Sequence, residues 1–180
     1  MEMTQKTAIR VSDLDQKNPT SFALRPDAGA CRALAGELGL LGLRKLAFSG
    51  QIEASGRSDW TLSGRLGATV VQPCVVTLEP VTTRIETDVH RTYVAGLAQP
   101  DAPETEMPDD DAVEKLGAFI DPAAVMAEEL ALALPLYPRK DGVDLGTAVY
   151  AEPGVQPMTD EDVKPFAGLS ELRESLKNKK

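Results

Sequence analysis

Trp60-Thr61-Leu62-Ser63-Gly64-Arg65-Leu66-Gly67-Ala68-Thr69-Val70-Val71 alternates apolar and polar residues along its length. Trp60, Leu62, Leu66, Ala68 and Val70 share one face, and Thr61, Ser63, Arg65 and Thr69 share the other. The pattern resumes beyond residues 72–80, where Val81, Ile85, Val89 and Tyr93 alternate with Thr82, Arg84, Glu86, Asp88 and His90. Upstream, Leu46, Phe48, Ile52 and Ala54 alternate with Ser49, Gln51 and Glu53, and residues 55–59 read as a turn. Period-two alternation predicts strands with one buried and one wet face, and such strands are usually antiparallel. The connector 72–80, Gln-Pro-Cys-Val-Val-Thr-Leu-Glu-Pro, is too apolar for an ordinary exposed loop.

The buried face of this meander needs a cover, and the flanking sequence supplies two helices. Residues 26–38 place Cys31, Leu34 and Leu38 three and four apart, with Pro26 in the first turn and Gly39 as the stop. Residues 123–134 contain no glycine, and Val125, Met126, Leu130, Ala133 and Leu134 form a broad apolar face. Asp121 suits the N-cap, Pro122 the first helical position and Pro135 the end. The remaining expectations are a short strand at 8–11, an irregular stretch at 13–24 and a short strand at 116–120. A last helix is expected at 168–177. The fold class that follows is α+β: an antiparallel meander of long strands covered on one face by helices.

A length of 180 residues predicts a single domain over 1–180. With only 4% aromatic residues, its core must rely on Leu, Val and Ala. The first residues have no apolar signal-like run, and no stretch approaches the ~18 apolar residues of a membrane span. Cys31 and Cys74 are far apart and form no CxxC, so two free thiols in a cytoplasmic protein are expected. Residues 101–114 hold seven acids and no Lys or Arg; without them the net charge of −9 falls to −2. The acid excess is thus mostly one flexible loop, 97–114, whose proline-rich composition cannot offset its own ordering entropy. Residues 177–180 form a basic tail.

Catalytic chemistry is not legible. His90 is the one histidine, and it alternates with Asp88 and Glu86 on a wet strand face without an oriented partner. Cys31, Cys74 and His90 lack the paired spacing of a zinc site, and no cofactor is implied. Glu128 and Glu129 are adjacent on a helix, where they diverge by about 100° and read as a solvated face. No GxGxxG, GxxxxGK[ST] or GxSxG is present. The candidate contact residues are basic: Arg84 and Arg91 on the third long strand, and Arg139 and Lys140 after the second helix. With Thr61, Ser63, Arg65, Thr69, Thr82 and Thr92 they suit phosphate and sugar contact. An aromatic base-stacking platform is not expected, because Trp60 and Tyr93 fall on the apolar face.

Three blocks in order resemble the YceD family, the large ribosomal RNA subunit accumulation proteins, in their alphaproteobacterial style. The first is the connector 72–80 preceded by the strand 62–70. The second is Ile120-Asp121-Pro122 followed by Glu128-Glu129-Leu130-Ala131-Leu132-Ala133-Leu134-Pro135-Leu136-Tyr137-Pro138-Arg139. The third is Lys164-Pro165-Phe166-Ala167-Gly168-Leu169. By position, Cys74, Glu79, Pro80, Glu129, Leu130, Pro135, Pro138 and Arg139 match the family's motif residues, most of them structural. Many members carry C-x-R-C-L where this chain has Cys74-Val75-Val76-Thr77-Leu78, so the resemblance gives no support for a thiol pair or zinc site here.

The resemblance implies a cytoplasmic, non-enzymatic factor supporting 23S rRNA accumulation and large-subunit assembly. Its partner would be 23S rRNA or a large-subunit ribosomal protein, with no membrane or DNA partner. Two other classes stay open. The acidic run 101–114 could dock on a basic ribosomal protein by charge steering without RNA contact. A small-ligand carrier would instead use the sheet as a cup around a closed pocket.

Overall fold

The computed structural model describes residues 7–97, 112–144, 151, 152 and 154. The chain divides into two compact units, Met1–Asp141 and Gly142–Lys180, and every element named here lies in the first. The elements are β1 (Ile9–Arg10), a 3-10 turn (Val11–Asp13), β2 (Thr20–Leu24), α1 (Ala28–Glu37) and β3 (Gly42–Ser55). They continue with β4 (Asp59–Pro73), β5 (Pro80–Val94), β6 (Val113–Lys115), β7 (Phe119–Ile120) and α2 (Pro122–Leu132). Five strands form one sheet in the order β2-β3-β4-β5-β6, while β1 and β7 pair separately. Pairing is antiparallel from β2 to β5, and β6 runs parallel to β5. The fold is α+β.

The alternation places the core. Phe48 and Ile52 of β3, Leu62, Leu66, Ala68 and Val70 of β4, and Ile85, Val89 and Tyr93 of β5 are buried on one face. Cys31 and Ala35 of α1 and Val125, Met126 and Leu130 of α2 close the same core. Gly50 and Gly64 face each other across β3 and β4. A Cβ at Gly50 would lie 2.1 Å from the Ser63 carbonyl oxygen, and one at Gly64 would lie 2.9 Å from the Phe48 ring. The paired glycines let the two backbones approach and leave room for Phe48, whose ring packs on Phe22 at 5.0 Å.

The start and cap of α2 and the glycine stop of α1 are those expected from the sequence, whereas α1 starts at Ala28 behind an Asp27 cap, which leaves Pro26 before the helix rather than in its first turn. Asp27 caps α1 by accepting from Ala30 N at 2.8 Å. Gly39, at φ +65°, ends it: Leu40 N returns to Ala35 O and Gly39 N to Gly36 O, a Schellman closure. Asp121 caps α2 through Ala123 N at 3.0 Å and also accepts from the Thr7 hydroxyl. That helix ends at Leu132, two residues before the expected end.

Four differences from the sequence reading have physical causes. The expected irregular stretch 13–24 ends in β2, because Phe22 and Leu24 turn inward against β3. β3 starts at Gly42 rather than 46, since the extra residue of a bulge between Arg44 and Ala47 shifts the phase. The expected strand 116–120 is β7 alone, at Phe119–Ile120. Val113 and Glu114, read as linker and acidic loop, belong to the edge strand β6. Residues 98–111, the motif 164–169, the expected helix 168–177 and the tail 177–180 lie outside the described residues.

Candidate functional site

The wet face of the sheet is polar, and its cations concentrate toward the end where β3 begins and β5 begins. Arg44, Thr69 and Arg84 stand side by side across β3, β4 and β5. Arg84 lies flat because Gly67 has no side chain: a Cβ there would meet Arg84 Nη2 at 2.6 Å. Its guanidinium donates to Glu86 Oε1 at 3.2 and 3.3 Å, and Arg65 reaches Glu86 Oε2 at 3.1 Å. Those two cations hold the Glu86 carboxyl below its ordinary range, Arg65 first. Arg65 also reaches Asp88 Oδ1 at 4.0 Å, so these two arginines are balanced by two carboxylates and the positive excess at this end comes from the exposed Arg44 and Lys45. Lys45 lies in the bulge at φ +51°. A left-handed backbone is uncommon for a residue with a side chain, and here it goes with the extra bulge residue.

Arg139 and Lys140 reach the same end from α2. Residues 135–140 form a strap, bent at Leu136 and Tyr137, that is fastened to the end of β4 and to the connector 74–79. Gln72 Nε2 donates to Pro135 O at 3.2 Å, and Val75 N donates to Pro138 O at 2.9 Å. Pro138 is buried, whereas Leu136, Tyr137, Arg139 and Lys140 are exposed. Lys140 Nζ sits 2.8 Å from Glu79 Oε2, which lowers the Glu79 pKa and raises that of Lys140. Arg139, Lys140 and Asp141 face Pro80, Val81, Thr82 and Thr83 across an open cleft of about 370 Å³. The geometry therefore brings Arg139 and Lys140 to the edge of the strand that carries Arg84.

Arg91 is placed differently. It shares the inward face of β5 with Val89 and Tyr93 and is 9% exposed. Its Nη2 lies 2.8 Å from Glu129 Oε1, and its Nη1 contacts Glu114 and, at 3.4 Å, Glu128. Burial works against the Arg91 charge, but the Glu129 hydrogen bond and the Glu114 carboxylate more than offset it, so its pKa is raised. Glu128 and Glu129, read as a solvated helix face, converge on this guanidinium, and so does Glu114 from the acidic run. Arg91 is a junction among β5, β6 and α2. Burial and proximity to Glu114 push the neighbouring Tyr93 hydroxyl up to about 12.

The remaining motif residues fall into structural positions. Pro80 opens β5 opposite Pro73 and closes the β4–β5 connection. Leu130 is fully buried. Pro135 lies two residues past the C-cap of α2 and gives its carbonyl to Gln72. Cys74 is fully covered but sits outside the contiguous core. Its amide donates to Glu79 O at 2.7 Å, and its carbonyl accepts from Leu78 N at 2.9 Å. Leu78 adopts φ +61°, where the connector turns toward Glu79 and Pro80. The Thr77 hydroxyl and the amides of Thr77, Lys140 and Val76 surround the thiol and lower its pKa to about 6. Cys74 is thus buried, as expected of a structural motif residue, and the hydroxyl of Thr77, directly after Val75-Val76, is the main cause of the lowered thiol pKa. Cys31 is also free, and burial raises its pKa.

His90 is exposed on the wet face opposite Ser63. Among the described residues there is no cluster of His, Cys, Asp or Glu able to hold a metal ion. No helix among them is long and apolar enough to cross a membrane.

No curated protein and no solved structure matched the chain. A family model does match, over residues 62–173, more than half of the sequence; its description is large ribosomal RNA subunit accumulation protein YceD. The matched span contains β5, the connector, α2 and the strap, and with them Arg84, Arg139, Lys140 and Cys74. The chain belongs to the YceD family.

Proposed function

We propose that this protein is a non-enzymatic, cytoplasmic ribosome-biogenesis factor that supports 23S rRNA accumulation and large-subunit assembly by direct contact with rRNA. The observation that carries the reading is the family match, whose description names accumulation of large-subunit ribosomal RNA. The geometry adds a surface: Arg84 on the wet sheet face, with Arg139 and Lys140 across the cleft from the start of the same strand. Arginine and lysine there suit phosphate oxygens, and Thr82 and Thr83 suit sugar hydroxyls. Arg91 acts in this account as the internal tie that holds β5 against α2.

Binding of the purified full-length chain to 23S rRNA fragments across a salt series tests the proposal. Affinity should fall as salt rises, and Arg84→Ala or Arg139→Ala should each reduce the salt slope by about 1. Binding restricted to a basic ribosomal protein, and lost on deletion of 101–114, would instead establish the acidic segment as the docking element.

A further inference from the structure

Tyr137 is 75% exposed and Leu136 is 84% exposed. Large apolar and aromatic side chains normally bury, and exposed ones that cluster mark contact surfaces. This exposure does not come from a loose chain. The backbone is fastened before Tyr137 by Gln72 at Pro135, and after it by Val75 at the buried Pro138. The Lys140–Glu79 ion pair adds a third tie. Two prolines also restrict φ on either side. The ring is presented on an ordered strap, so little conformational freedom remains to be lost on binding. Phe119, the other exposed aromatic among the described residues, is occupied by the Arg10 guanidinium at 5.5 Å from its ring centre. Among the described residues, Tyr137 has no such cation over its ring.

We propose that the strap is a stacking ledge for an unpaired base of single-stranded RNA, with Tyr137 as the platform and Arg139, Lys140 and Arg84 on the flanking phosphates. The proposal rests on the RNA reading above and specifies its ligand. Charge favours the occupant: beyond Pro138, Arg139 and Lys140 line an open cleft with Thr82, Thr83 and Asp141, and Lys140 is paired with Glu79, which leaves Arg139 as the cation nearest the ring in sequence. Arg84 lies two residues beyond Thr82 on the same strand face, about 7 Å further along. That is comparable with the step between successive phosphates of an extended strand. An aromatic face flanked by cations fits a base between phosphates better than an apolar peptide. Stacking also requires the base to be unpaired, because a duplex hides its faces.

The test uses the full-length protein with a short fluorescein-labelled RNA of mixed sequence, offered single-stranded and annealed to its complement. The single strand should bind more tightly than the duplex. Tyr137→Ala should weaken single-strand binding about tenfold. Tyr137→Phe should stay within about twofold, because the ring face is kept. Tyr137→Ala should leave the salt slope unchanged, whereas Arg139→Ala should lower it by about 1. Wild-type affinity in Tyr137→Ala, with the salt slope intact, would overturn the stacking ledge and leave RNA contact standing. If neither RNA form binds, while Tyr137→Ala abolishes capture of a ribosomal protein, the RNA reading itself falls and the ledge is a protein contact.

Discussion

Val75 N donates a hydrogen bond to Pro138 O at 2.9 Å, and this bond fastens the strap after α2 to the connector between β4 and β5. The two irregular segments thereby stabilise each other. The connector covers Cys74, and the strap holds out Tyr137, Arg139 and Lys140.

If the strap is ordered by that bond, the Val75 amide should exchange slowly with deuterium in the native protein. Pro138→Gly should remove most of its protection while costing only about 1 kcal/mol of global stability, since glycine mainly restores freedom to the unfolded chain. Fast Val75 exchange in the wild-type protein would show that the strap is not fastened.

Arg91 gathers Glu114, Glu128 and Glu129 at the meeting of three elements. Arg91→Ala should leave those carboxylates facing one another and lower unfolding stability by about 2–4 kcal/mol in urea titrations. This lies toward the lower end for a buried pair, because Glu114 and Glu128 are partly exposed. Arg91→Lys should recover part of the loss, as it keeps the charge but not the fork. The double variant Glu128→Gln, Glu114→Gln should cost less than Arg91→Ala, because Glu129 keeps the best-covered bond.

Two glycines should respond in opposite directions to the same substitution. Gly50→Ala puts a Cβ against the Ser63 and Gly64 backbone and should destabilise by about 1–3 kcal/mol or more. Gly36→Ala, within α1 and with nothing near its Cβ, should stabilise by about 0.5–1 kcal/mol. Thermal unfolding of the two variants separates the cases, and equal effects would contradict the close pairing of β3 with β4.

The three long strands and both helices were legible because each is encoded locally, by period-two alternation, by Asp121 and Pro122, and by Gly39; the Asp27 cap was not, because Pro26 was read into the first turn. β2 was hidden because only Phe22 and Leu24 signal it inside a polar stretch. The start of β3 was hidden because one extra residue near Lys45 breaks the phase. Arg91 could have been read as inward, since it shares the parity of Val89 and Tyr93; a charge at a core position was instead taken for surface. Its partners were beyond sequence reach, because Glu114 and Glu129 come from distant segments that only the fold joins. Arg84, Arg139 and Lys140 were legible as exposed cations. The platform was not, because the exposure of Tyr137 depends on tertiary ties at Pro135 and Pro138.

Cys74 offers a pH prediction with a definite sign. Its pKa is lowered from 9.0 to about 6 by the Thr77 hydroxyl and surrounding amides. A group depressed on folding adds stability that is fully present above its ordinary value and lost as the pH falls toward its folded value. Stability should therefore rise from about pH 6 to pH 9, and Cys74→Ala should flatten that rise. Thiolate absorbance in the far ultraviolet should titrate near pH 6 in the wild-type protein. Thr77→Val should move that midpoint upward; titration only near 9.0 would mean that the loop does not stabilise the thiolate.

The central claim is that the basic end formed by Arg84, Arg139 and Lys140 acts on rRNA. The most direct measurement is sucrose-gradient sedimentation of lysates from the native host with these three residues replaced together by alanine. The account predicts reduced 23S rRNA and fewer 50S particles, matching loss of the protein, while the variant accumulates to normal levels. Normal 23S rRNA and 50S particles in that strain, with the variant present at wild-type abundance, would contradict it.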